Sequence, residues 1–149
     1  MINVLLRHPE TTFVGVHFGN NPENIRYVAA VLDRFPNFNI DTAARVGEIG
    51  RVEPASLHQF FIKYQDRTLF GSDVVYGPDN VDLGVPMPGT NTNEEAKKFF
   101  NTHWKFFETT ARNMDHPSPS FSSATIIFSR LSCCAVARGH SDSSEAIKN

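Results

Sequence analysis

Cysteine is almost absent from this chain: there are two, Cys133 and Cys134, and they are neighbours. Adjacent cysteines rarely reach the geometry of a structural disulfide, so neither a disulfide framework nor a zinc knot is expected. No apolar run approaches the roughly 20 residues that cross a bilayer. The first residues, Met-Ile-Asn-Val-Leu-Leu-Arg-His-Pro, do not place a basic segment ahead of an apolar one, so no secretory leader is read there. An excess of charge of either sign is also lacking: the net charge is -2 and the pI is about 6.3. No basic field is available to draw in nucleic acid or anionic lipid. The expectation is a cytoplasmic protein that binds neither nucleic acid nor membrane. What is present is an ordinary mixture, 40% hydrophobic and 20% charged over 149 residues, enough for one core.

Along the chain, Ile2 to Arg7 read as the last turn of a helix stopped by His8-Pro9. Thr11 to Val16 are β-branched and apolar, a buried-strand pattern ending on His17. Asn21-Pro22-Glu23 then opens a helix, with Asn21 as cap, Pro22 in the first position and Ile25, Val28, Ala29 and Leu32 as its buried stripe. A second strand, Phe38 to Thr42, carries Asp41 near its end. Val46 to Glu53 read as a loop, and Pro54 starts a helix with Leu57, Phe60, Phe61 and Tyr64 on one face. A third strand, Thr68-Leu69-Phe70, ends in Gly71-Ser72-Asp73.

Residues 74–91, rich in Gly, Pro and Asn, read as a substrate-facing loop. Thr92 and Glu95 form a capping box for a helix from about Asn93 to Arg112, whose stripe includes Ala96, Phe99, Phe100, His103, Phe107 and Ala111, widened by Trp104 and Phe106. The stripe is read as core packing rather than a ligand box. His8, His58, His103, His116 and His140 have no ligand spacing and are read as surface or helix-face residues. Beyond Pro117 the composition changes: nine of the eleven serines lie between Ser118 and Ser144.

The order is therefore βαβαβ, and His17, Asp41 and Asp73 each stand at the carboxyl end of a strand, one helix apart. In parallel sheets joined by helices, such side chains meet at one crevice, where these folds place their chemistry. Three segments extend that reading: Phe13-Val14-Gly15-Val16-His17-Phe18-Gly19-Asn20, Asp41-Thr42-Ala43-Ala44-Arg45, and Phe61-Ile62-Lys63-Tyr64-Gln65-Asp66-Arg67-Thr68-Leu69-Phe70-Gly71-Ser72-Asp73. With them, residues from about Leu5 to Met114 resemble the C-terminal part of the amidohydrolase superfamily, in the branch of metal-dependent hydrolases and non-oxidative decarboxylases. The resemblance implies an α/β fold that is a C-terminal fragment of a (β/α)8 TIM barrel, strands six to eight with their helices. Residues 1–116 would be the partial barrel domain and 117–149 a divergent, disordered tail from a truncated product.

The resemblance also implies roles. Asp73 would bind a divalent metal, Zn²⁺ first among the candidates, and take the proton from the metal-bound water. By pattern alone an Asp in this place more often caps the following loop, and the resemblance reverses that preference. His17 would be the sixth-strand histidine, acting beside the metal by hydrogen bonding or proton transfer, tasks that suit an imidazole. Asp41 and Arg45 are candidates for binding substrate, Arg45 by gripping a carboxylate in bidentate fashion. They could equally pair with each other or with Glu48.

A catalytic zinc site takes about three protein ligands and a water. The His-x-His and fifth-strand histidine that supply most ligands in the family have no counterpart here, so the expected function is that of an enzyme fragment, acting on a small-molecule substrate only as part of its parent and inactive alone. The competing reading is a non-catalytic module whose sheet edges or Trp104 helix pack against another chain. A flavodoxin-like binding domain ranks last, because no glycine-rich phosphate loop follows the first strand.

Overall fold

The computed structural model describes residues 1–78, 80–83, 92–109 and Met114. Helix α1 (Ile2–Arg7) precedes strand β1 (Phe13–Gly15), and a single four-residue turn, α2 (Val16–Gly19), follows it. Then come α3 (Ile25–Arg34), β2 (Phe38–Asp41), the short α4 (Val46–Ile49), α5 (Pro54–Tyr64), a 3-10 turn over Gln65–Arg67 and β3 (Thr68–Leu69). A small ribbon of β4 (Val75–Tyr76) and β5 (Val81–Asp82) leads to α6 (Asn93–Glu108).

The first three strands form one sheet in the order β1-β2-β3, parallel throughout, with Phe13 beside Phe38, Gly15 beside Ile40, and Ile40 beside Thr68. Residues paired in a parallel ladder share a face, so the register sorts the side chains. Phe38 and Ile40 are buried among residues of α3, α5 and α6. The other face carries Val14 and Leu69, 47% and 48% exposed. Among the described residues β1 and β3 each pair along one edge only.

The helices follow their apolar stripes. In α3 the buried residues are Ile25, Val28, Val31 and Leu32, and in α5 they are Leu57, Phe60, Phe61 and Tyr64, as the spacing requires. The Tyr64 hydroxyl donates to Asp33 Oδ1 at 2.9 Å, and the Lys63 ammonium pairs with the same carboxylate, tying α5 to α3. Helix α6 lays Phe106 and Phe107 against Phe61. Its Ala96 and Phe99 form a smaller cluster with Val81 and Leu83 next to the ribbon.

Several expectations from the sequence change. Helix α3 is capped by the Asn24 side chain, which accepts from the Tyr27 amide, and Asn21 is not the cap. Pro22 lies in the turn before it. Here a second Asn with the same capping chemistry sits closer to the first buried residue, Ile25. The stretch read as a loop from Val46 contains α4, because Val46 and Ile49 are apolar one turn apart and both are fully buried. The long loop after Asp73 includes the antiparallel β4-β5 pair. Within that loop, Asp79 and residues 84–91 lie outside the described residues, as do 110–113, the tail read from 117 onward, His116 and His140. The described sheet is three parallel strands, an α/β arrangement compatible with part of a larger α/β fold. No helix among the described residues is long and apolar enough to cross a membrane.

Candidate functional site at the carboxyl ends of the parallel strands

Because the sheet is parallel, β1, β2 and β3 all end at one edge, and the connections there share an unusual backbone. The non-glycine residues with positive φ among those described are His17, Phe18, Asn20, Ala44 and Asp73. Three follow β1, one follows β2 and one follows β3. Left-handed backbone costs a residue such as Phe18 or Ala44 roughly 1–2 kcal/mol, and less for Asn, Asp and His, which visit it more readily; such residues cluster at active sites and ligand clamps.

After β1 the chain makes a left-handed turn. His17 (φ 57, ψ 46), Phe18 (φ 60, ψ 40) and Asn20 (φ 56, ψ 31) enclose Gly19, also at positive φ, and the Asn20 amide closes the turn on the carbonyls of Val16 and His17. This geometry divides two neighbours. Phe18 is driven into the core, 0% exposed, with its ring 5.2 Å from Phe60 and 6.3 Å from Phe61. His17 remains half-buried at the strand end. Burying an aromatic side chain contributes about 1.5–3 kcal/mol, which offsets much of the strain.

Asp41 supplies the second constraint. Its Oδ1 accepts the main-chain N–H of His17 at 2.7 Å and that of Ala43 at 3.1 Å. The His17 Nδ1 in turn lies 3.0 Å from the Ala43 carbonyl oxygen. A carbonyl only accepts, so Nδ1–H is the donor. Next along the edge, the buried Thr42 hydroxyl donates to the Gly71 carbonyl at 3.2 Å and accepts the Gly71 N–H at the same distance. A Cβ on Gly71 would come 3.0 Å from the Ala43 Cβ, so the ends of β2 and β3 are in close contact.

The remaining candidates lie along the same rim. Of the two pairings open in the sequence, Arg45 makes the one to Glu48, at 2.8 Å. Glu48 is largely buried and Arg45 less so. Asp73 is exposed, two residues beyond Gly71 and at φ 60. Position in the fold thus puts His17, Asp41, Arg45 and Asp73 at one end of the sheet. Among the described residues no group of three or more His, Cys, Asp or Glu is arranged to hold a metal ion.

The other histidines separate by burial. His8 is exposed and His58 half-buried. His103 is 0% exposed, with Nδ1 2.8 Å from the Phe99 carbonyl oxygen and its ring 4.1 Å from that of Phe99. Burial pushes its imidazole below the usual 6.5, with the Phe99 carbonyl acting in the opposite direction. It is part of the core, as is Phe107, whereas Trp104 stays half exposed and stacks on Phe70 at 5.1 Å between ring centres. Sequence reading missed Thr42 and Ala43 as the residues that knit the strand ends. The available signal was a hydroxyl immediately after a strand otherwise buried at Phe38 and Ile40.

Comparison with known proteins adds one relationship. A family model described as amidohydrolase matches residues 1–103. No curated protein and no solved structure matches the chain.

Proposed function

The chain belongs to the amidohydrolase family, and from that premise we propose that it carries the carboxyl-terminal part of the catalytic mouth of a metal-dependent hydrolase or non-oxidative decarboxylase. The substrate class is a small carboxylic acid or its amide or ester, handled in the cytoplasm. Such a barrel's strands would be the sixth, seventh and eighth. The observation that carries the reading is the left-handed backbone after every one of the three parallel strands, with His17 and Asp73 both on it. Left-handed residues gathered at one edge support a site there, because such backbone clusters at active sites and ligand clamps.

In this reading Asp73 is the carboxylate that accepts a proton, His17 hydrogen-bonds the substrate or relays a proton through Nε2, and Arg45 grips a carboxylate. Asp41 lies between them. The described residues do not by themselves furnish the three-donor set that a divalent metal such as Zn²⁺ requires, so no chemical step is assigned to a metal held by them. The chain alone is expected to hydrolyse or decarboxylate nothing detectable.

The test uses the purified full chain. Acetate, a simple carboxylate, should shift the amide signals around His17, Ala44 and Asp73 together in a nuclear magnetic resonance titration, and Arg45→Ala should abolish that joint effect. No shift at these residues, or shifts confined to one segment or centred elsewhere, would sink the shared mouth. Metal-dependent turnover of an ester, amide or carboxylic acid would overturn the inactivity. The open sheet face with Val14 and Leu69 favours a second reading, a module packed on another chain; a stable stoichiometric complex in size-exclusion chromatography would support it.

A further inference from the structure

We infer that Asp41 is a positioning residue that fixes the tautomer of His17, so that the ring presents an unprotonated Nε2 at the mouth of the strands. The inference deepens the proposed role of His17 and assigns Asp41 an action through another residue in place of contact with substrate.

The geometry has three linked parts. Asp41 Oδ1 draws two amides onto one oxygen, that of His17 from the end of β1 and that of Ala43 just past the end of β2. A carboxylate accepting main-chain N–H groups makes the shorter, stronger class of hydrogen bond, and the 2.7 Å contact is of that length. The first bond therefore helps hold His17 in its left-handed conformation, a region that histidine visits more often than most residues but that still costs a Cβ-bearing residue energy. The second bond holds the Thr42–Ala43 peptide and so anchors Ala43, whose own carbonyl oxygen, in the following peptide, stands 3.0 Å from the His17 Nδ1. One oxygen therefore anchors the backbone that carries the ring and the residue whose carbonyl the ring meets.

The chemical consequence follows from proton count. A neutral imidazole has one N–H and one lone pair, and which nitrogen holds which is decided by the partner of either. With Nδ1–H given to a carbonyl, the lone pair is on Nε2. That arrangement, a ring donating its second nitrogen to a main-chain carbonyl, is the one that prepares a histidine to accept a proton, a hydrogen bond or a metal ion at the other nitrogen. The other tautomer, with Nδ1 unprotonated, would place two lone pairs 3.0 Å apart. Asp41 disfavours it by anchoring Ala43 beside the ring.

The experiment is long-range ¹H–¹⁵N correlation of the imidazole nitrogens in the ¹⁵N-labelled full chain, under alkaline conditions where the rings are neutral. In the wild type, His17 should show Nδ1 at a protonated-nitrogen shift and Nε2 at an unprotonated one, while the exposed His8 shows averaged values. In Asp41→Ala the two His17 shifts should converge as both tautomers become populated. Asp41→Asn keeps an acceptor oxygen, so it should retain the wild-type tautomer with the His17 and Ala43 amides exchanging with solvent at least several-fold faster. Wild-type His17 protonated on Nε2 would overturn the inference, as would an unchanged tautomer in a folded Asp41→Ala variant. Where Asp41→Ala does not fold, unchanged amide exchange in Asp41→Asn would overturn it. None of these readings depends on turnover or metal, so the tautomer can hold while the catalytic reading fails, or the reverse.

Discussion

The guanidinium of Arg67, just ahead of β3, donates from Nη2 to the carbonyl oxygen of Phe35 at 2.7 Å, at the entry to the neighbouring strand β2. The same side chain reaches the Phe38 carbonyl from Nε at 3.0 Å and also from Nη2, and the Asn39 side chain at 3.2 Å. One cation thus gathers the chain reversal between α3 and β2, where a helix end leaves carbonyls without intrahelical donors. Replacing Arg67 with Ala removes a charged donor from several half-buried acceptors, so we expect a loss of about 2–3 kcal/mol. Urea unfolding measures it. A loss below roughly 0.5 kcal/mol, the usual scale of an inconsequential surface change, would show that water replaces the arginine.

Gly15 is required for space. A Cβ built there would lie 2.4 Å from Cζ and 2.8 Å from Cε2 of the buried Phe38 ring. Its conformation is extended (φ -80, ψ 97), which alanine adopts without strain, so the ordinary entropic gain of about 0.4–1 kcal/mol from Gly→Ala competes with overpacking of about 1–3 kcal/mol. Overpacking wins because the ring cannot leave the core. Gly15→Ala should lower the thermal midpoint, and Gly15→Ala combined with Phe38→Leu should recover part of the loss. A single variant more stable than the wild type would show that the Phe38 ring has another place to go.

His103 makes stability depend on pH. Its folded value is held below 6.5 by burial, so on acidification the unfolded chain takes up this proton first. Stability is then complete above about pH 6.5 and falls as pH drops below it toward the folded value. Thermal midpoints should be level at the neutral end and decline below that point. His103→Leu should flatten the decline in that window. An equally steep decline in the variant would place the sensitivity on other groups.

Helix α6 starts from the Thr92 and Glu95 capping box: the Glu95 amide donates to the Thr92 hydroxyl at 3.2 Å and the Glu95 carboxylate accepts the Thr92 N–H at 2.6 Å. The bond from the Thr92 N–H, and then its hydroxyl, holds the Glu95 carboxyl below the usual carboxylate value. Thr92→Ala should cost about 1 kcal/mol and Thr92→Ser much less. Chemical denaturation of both variants provides the comparison, and equal losses would argue that the hydroxyl is not the relevant atom.

The sequence by itself determined the βαβαβ order of the three parallel strands, the main faces of α3, α5 and α6, and the placement of His17, Asp41 and Asp73 after successive strands. These follow from local chemistry: periodicity sets which side of a helix is buried, and Pro, Asn, Thr and Glu mark where helices begin. The capping box at Thr92 and the buried stripe from Leu57 to Tyr64 were legible for that reason. Asn24 displaced Asn21 as a cap because two residues of the same chemistry were available, and only the packing of Ile25 chose between them. The left-handed turn at His17 and Phe18 had little local sign: histidine visits that region more than most residues, but phenylalanine does not favour it. It exists because Phe18 finds the rings of Phe60 and Phe61, and because Asp41 accepts an amide from 24 residues earlier in the chain. Contacts at that separation are decided when the strands come side by side, and so the site's finest feature, the nitrogen that His17 presents, belongs to the tertiary structure.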